Sequence, residues 1–152
     1  MTLLNKTDEY IYKRLIWKAG QYNLPSDFSF FYNNLPLKMR EYLSGQIITS
    51  PNEIPVLFFT KPSQEWTLLS TRQLFGYNNS HVYSILLEDI AHLTSKKFAD
   101  ENAKFTSGLK KSDWHELIIT CKDGQILLFH ARKGSDLFAL WNILLMAVRF
   151  YR

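Results

Sequence analysis

From Ile54 onward the chain is cut into short apolar segments, IPVLFFT, EWTLLS, QLFGY, HVYSILL and IAHLTSKK, joined through KPSQ, STR, NNS and ED. The segments are rich in β-branched and aromatic residues, which fit a pleated, buried surface. These read as strands at short spacing. Two more segments, WHELIITC and QILLFHAR, flank Lys122-Asp123-Gly124-Gln125. Asp-Gly is a strong signal for a two-residue type I′ hairpin. Pairing about that turn sets Cys121 opposite Ile126, Ile119 opposite Leu128, Leu117 opposite His130 and His115 opposite Arg132.

Both ends of the chain read as helix. In TDEYIYKRLIWKAG, residues 7–20, Thr7 is an N-cap, Asp8 and Glu9 sit in the first turn, basic residues gather toward the end, and Gly20 is the expected stop. Ile11, Leu15, Tyr12, Ile16 and Ala19 form its apolar face. A second helical region is expected after Pro25, with Ser26 and Asp27 capping Phe28, Phe31, Tyr32 and Leu35, a break at Pro36, and LKMREYLSG ending at Gly45. At the far end, Gly134 closes the last strand and Ser135 caps a helix with Leu137, Leu140, Trp141, Leu144, Leu145 and Val148 in one stripe. Phe138, Ile143, Met146 and Phe150 lie off that stripe. Their apolar surface needs a cover, either the N-terminal helices or a second copy of the chain.

Composition removes several classes. With 152 residues, 46% of them hydrophobic, the chain has ample material for a core and is not a disordered tail. A single cysteine, Cys121, and no secretory leader pattern point to a reducing, cytoplasmic setting. The apolar stretch LFALWNILLMAV is interrupted by Asn142 and falls short of the ~20 residues that span a bilayer. Much of the net charge of +4 is local, in KKFADENAKFTSGLKK, where Lys96, Lys97, Lys104, Lys110 and Lys111 outnumber Asp100 and Glu101. That loop is a candidate contact for an anionic surface, although lysine without arginine makes a diffuse field rather than a bidentate phosphate clamp.

Catalytic chemistry has little to stand on. His81, His92, His115 and His130 show no HExxH, CxxC or close His/Cys spacing. In the predicted register His115, His130 and Cys121 share a hairpin face near Asp113 and Glu116, the one grouping that suggests a metal or thiol enzyme. Histidines at strand ends and interfaces commonly look the same, and burial of Cys121 raises rather than lowers a thiol pKa. No glycine loop cradles a phosphate, and no cofactor is implied. The strand aromatics Phe58, Phe59, Trp66, Phe75 and Phe129 are embedded in apolar runs, so they read as core rather than as a platform for nucleic-acid bases.

The order of elements, with the motifs Trp66-Thr67-Leu68-Leu69-Ser70-Thr71-Arg72-Gln73-Leu74-Phe75 and Ile85-Leu86-Leu87-Glu88-Asp89-Ile90, resembles bacterial pleckstrin-homology-like and GRAM-type domains. The resemblance spans about residues 54–151. It implies an α+β fold, a partly open antiparallel barrel or sandwich capped by a C-terminal helix. Residues 54–152 would form that domain and residues 1–53 an N-terminal helical extension. Ser70-Thr71-Arg72 becomes a tight turn, with Trp66, Leu68 and Leu74 in the wall and Arg72 facing solvent or Asp89. Position 70 is serine, whereas phosphoinositide readers in this superfold carry a base there. The expected function is a non-catalytic, cytoplasmic binding module that meets a protein partner or itself through Phe138, Ile143, Met146 and Phe150. The alternative is an anionic membrane surface met by the lysine loop 96–111, and a metal or thiol enzyme ranks third.

Overall fold

The computed structural model describes residues 6–95 and 116–152. Its elements are α1 (Asp8–Gln21), β1 (Ser29–Phe31), α2 (Leu37–Gln46), β2 (Pro55–Thr60), β3 (Trp66–Ser70), β4 (Gln73–Asn78), β5 (His81–Leu86), β6 (Ile90–Ser95), β7 (Glu116–Cys121), β8 (Ile126–His130) and α3 (Ser135–Arg149). The strands make two antiparallel sheets, β1-β2-β3-β4-β5 and β6-β7-β8, which are not hydrogen-bonded into a closed barrel. The class is α+β.

The period-2 alternation of side chains divides the five-stranded sheet into two apolar faces. Leu57, Phe59, Leu69, Leu74 and Ile85 point inward, toward Leu117, Ile119 and Phe129 of the second sheet and toward both long helices. Phe58, Trp66, Leu68 and Phe75 point outward, where Leu35 and Leu43 meet them. Every residue of β3 is therefore buried. A strand covered on both sides reads as a continuous apolar run, as WTLL does. The sheets approach closely at Gly76, where a Cβ would lie 2.8 Å from the Tyr83 ring and 3.0 Å from that of Phe129.

Helix α1 begins as its sequence predicts, with Thr7 Oγ1 accepting the amide of Tyr10 at 3.0 Å. It runs through Gly20, and the left-handed residue after it is Asn23, φ 61°. Ile11, Leu15 and Ala19 are fully buried in the inner core, each leucine or isoleucine so buried contributing about 1.5–3 kcal/mol. The helix expected over residues 28–35 is absent. Ser29–Phe31 instead pair with β2, and Tyr32–Asn34 make a 3₁₀ turn. Pairing to an open sheet edge overrode local helical periodicity, and Phe30 and Phe31 consequently serve opposite faces.

The last hairpin differs from expectation by one residue. Gly124, φ 92°, donates its amide to Cys121 O at 2.9 Å, and Cys121 N donates to Gln125 O at 2.8 Å, which leaves three residues in the loop rather than two. Leu117 thus faces Phe129, Ile119 faces Leu127 and Glu116 faces His130. The change keeps Leu117, Ile119 and Phe129 on the core side together.

Helix α3 lies where the periodicity puts it but is rotated. Leu137, Leu140, Leu144 and Val148 are buried, and so are Ala139, Ile143 and Ala147, whereas Leu145 is 39% exposed. The buried arc is wide because α3 packs on β6 and β7 and on α1 together. Phe138 meets Tyr22 edge-on at 5.9 Å between centroids, and Phe150 meets Tyr10 at 6.0 Å.

Candidate functional site

The turn Ser70-Thr71-Arg72 joins β3 to β4 as the sequence predicts, but its arginine finds a different partner. Arg72 reaches α1 and makes a two-pronged pair with Asp8, Nε to Oδ1 at 2.9 Å and Nη2 to Oδ2 at 2.6 Å; Asp89 is not its partner. Thr71 Oγ1 donates to the same Oδ1 at 2.6 Å and accepts the amide of Ile54 at 3.0 Å. Tyr151 Oη donates to Thr71 O at 2.6 Å. Ser70 Oγ donates to Glu53 and accepts the amides of Arg72 and Gln73. Burial would raise the Asp8 carboxyl, but hydrogen bonds from Arg72 and Thr71 and the guanidinium charge outweigh it and hold the group below its ordinary 3.8. Burial pushes Tyr151 up to about 12. This network ties the first helix, the central hairpin and the C-terminus to one point. It is a structural clamp with its polar groups satisfied internally.

Of the residues singled out in the sequence, those that are described are not gathered in one place. Ile143 is fully buried within the chain's own core and has no surface left for a partner. Phe138, Met146 and Phe150 are half-buried against that core, and α1 covers part of the surface they would have offered. Lys96, Lys97, Lys104, Lys110 and Lys111 lie outside the described residues, as does His115. The hairpin register sends Cys121 and His130 to opposite faces, because His130 is paired with Glu116 while Cys121 aligns with Leu117 and Ile119. Burial, then Asp123 and Asp89, pushes the Cys121 thiol up, away from nucleophilic use. Among the described residues no three His, Cys, Asp or Glu side chains are grouped to hold a metal ion.

A concave site lies on the outer face of the five-stranded sheet, beneath α2. Its volume is about 870 Å³, and Phe58, Trp66 and Tyr77 line it from β2, β3 and β4. Trp66 and Tyr77 are stacked, 5.7 Å apart and 7° from parallel, and Phe58 lies 5.9 Å from Trp66 on its other side. Phe30 extends the aromatic row at 6.4 Å from Phe58. Met39 and Tyr42 of α2 form the facing wall, and both are partly exposed. Of the ten residues of α2 only Leu43 is buried, so the helix spans the sheet on one anchor instead of filling the space below it. Tyr32 Oη, hydrogen-bonded to Arg40 O at 3.4 Å, and Arg40 Nε, donating to Leu35 O at 3.1 Å, hold its approach.

The charged residues lining this groove are Lys38 and Lys61. Lys61 sits in the β2–β3 loop, 3.9 Å from Glu65, at the outer limit of an ion pair. The same loop carries Gln64 at φ 76°, a left-handed conformation that costs a side-chain-bearing residue energy and recurs at ligand sites. Trp66 is 4% exposed, and among the described residues its indole N–H meets no acceptor. The sequence places Phe58 and Trp66 in the core, and both are indeed buried. The signal that was missed is alternation within VLFFT and WTLL, which sets Phe58 and Trp66 on the face opposite Phe59 and Leu69. No family model and no curated protein matches the chain.

Proposed function

We propose that the chain is a non-catalytic, pleckstrin-homology-like binding module whose binding site is the aromatic groove under α2. The likeness in architecture rests on order: β2 to β5 form one meander, β6 to β8 a second, and a single helix follows. The observation that carries the binding role is the groove itself, an apolar concavity of about 870 Å³ with a stacked Trp66–Tyr77 floor. Its volume falls within the roughly 300–1,000 Å³ of small-molecule sites. Among the described residues its lining is mainly aromatic and aliphatic, which supports a role in holding an apolar ligand. The binding surface thereby moves away from α3, whose apolar arc is largely spent within the chain.

Titration with Nile red, a neutral apolar dye, tests the groove. A single saturable site per chain is expected, and Met39→Arg should remove it, since a long cationic side chain on α2 blocks the groove without disturbing helix propensity. Dye uptake that never saturates, or that ignores Met39→Arg, would refute the assignment.

A further inference from the structure

The groove under α2 has a charge pattern that its apolar walls do not require. Both of its charged lining residues are cationic, Lys38 from the start of α2 and Lys61 from the β2–β3 loop. Lys38 has no ion-pair partner among the described residues, and Lys61 shares only one distant carboxylate, leaving ammonium donors of both side chains for a third group. The interior between them is aromatic. We propose that this groove, taken as the binding site above, selects a small amphipathic anion, an apolar chain or ring capped by one carboxylate.

Size decides between a small molecule and a protein surface. A stable protein interface uses roughly 20–30 residues on each side. Twelve described residues line the groove, with the sheet aromatics as a floor and Met39 and Tyr42 of α2 facing them. A body that lies along the aromatic floor and leaves its head at the rim satisfies both parts of the site, whereas a cationic head meets two like charges and a neutral head leaves Lys38 without a counter-charge among the described residues. Neither lysine is among the apolar residues of the inner core, and circular dichroism of the double variant checks that its fold is retained. Methionine in their place keeps the length of the side chain and deletes the charge.

The experiment measures binding of monomeric dodecanoate, dodecanol and dodecyltrimethylammonium, each by displacement of Nile red, to the wild-type chain and to Lys38→Met/Lys61→Met. Dodecanoate should bind at least about tenfold more tightly than the cation, weaken with added salt, and lose about tenfold relative to dodecanol in the double variant, each affinity being corrected for that variant's own Nile red binding. Equal affinity for all three compounds, or a double variant that still prefers dodecanoate, overturns the charge selection and leaves the groove assignment standing. Loss of Nile red binding in the wild type overturns both. A fourth arm uses vesicles containing phosphatidylglycerol: lysine-dependent vesicle binding without binding of monomeric dodecanoate also overturns the proposal, in favour of a membrane surface.

Discussion

Replacing Arg72 by alanine isolates the clamp at the β3–β4 turn. Asp8 is 8% exposed and would keep Thr71 Oγ1 as its side-chain donor, losing both guanidinium bonds. Removing one partner of a buried ion pair costs about 3–5 kcal/mol, but the Arg72 side chain is 33% exposed and partly hydrated already, so we expect about 2–3 kcal/mol. Asp8→Ala alone should cost about 1.5–2 kcal/mol because the freed guanidinium can turn to water, and the double variant no more than Arg72→Ala, a coupling of about 2 kcal/mol. Urea unfolding followed by circular dichroism gives these values. The pH dependence supplies the sharper criterion. In the wild type the Asp8 carboxyl is held below 3.8, so its stabilisation is present above that value and is lost as pH falls through the folded pKa. Without Arg72 only the Thr71 and backbone hydrogen bonds oppose burial, so the native state takes up the Asp8 proton at a higher pH than in the wild type, and the penalty of the substitution shrinks as pH falls toward the wild type's folded pKa. A cost below about 0.5 kcal/mol, or a penalty that does not change with pH, would refute the clamp.

Three further substitutions probe the sheet contact, an open helix position and the buried histidine. Gly76→Ala pushes a methyl to 2.8 Å from the Tyr83 ring, which is pinned by its hydroxyl donating to Leu128 O at 2.5 Å, so a loss of about 1–3 kcal/mol is expected in thermal unfolding. Gly20→Ala, in an open position of α1, should stabilise by about 0.5–1 kcal/mol, and the reverse ranking of the two would be decisive against the packing described. His130 is 4% exposed, and burial, then Lys61, lowers its pKa below 6.5, outweighing Glu65 and Glu116. The unfolded chain therefore binds a proton that the native state refuses, and stability, complete above pH 6.5, is lost as pH falls toward the folded pKa. His130→Gln should flatten that slope in unfolding measured across the window, and an unchanged slope would show that another group sets it.

What was legible in the sequence is local. The strands from Pro55 to Cys121 announce themselves because β-branched and aromatic runs end at turn residues, and the start of α1 follows from Thr7, whose cap is made within one turn. The errors come from neighbours that the sequence does not display. Asp123-Gly124 serves a two-residue turn and a three-residue loop equally well, and only the closing bond from Cys121 to Gln125 decides, so the register slipped by one. Residues 29–31 have no strong pattern of their own and were drawn into the sheet by the edge of β2. Helical period located α3 but not its phase, because a sheet on one side and α1 on another widen the buried arc. Asp8 and Arg72 are 64 residues apart, and no spacing rule links them. The groove was invisible for a related reason: it exists because α2 is a weakly amphipathic helix set over aromatics that the opposite alternation had already made part of a core.

These observations divide the molecule into two regimes. On the inner side, two sheets, two long helices and the Asp8–Arg72–Thr71–Tyr151 network bury their apolar and polar groups against one another, so a ligand would have to displace contacts that already exist. On the outer side, α2 is held by Leu43 and a few polar bonds, and the aromatic row beneath it is incompletely covered. Binding energy is most readily found where apolar surface is exposed yet already ordered, because little conformational entropy remains to be lost on contact. Tyr77, only partly buried, is ordered in this way, since it stands on β4 beside Trp66 of β3 and is positioned by Trp66↔Tyr77 pairing rather than by a flexible loop. The arginine that interrupts WTLLSTRQLFGY therefore acts at a distance from the groove: it closes the inner layer, while the groove proposed as a binding site lies on the outer face of the same sheet.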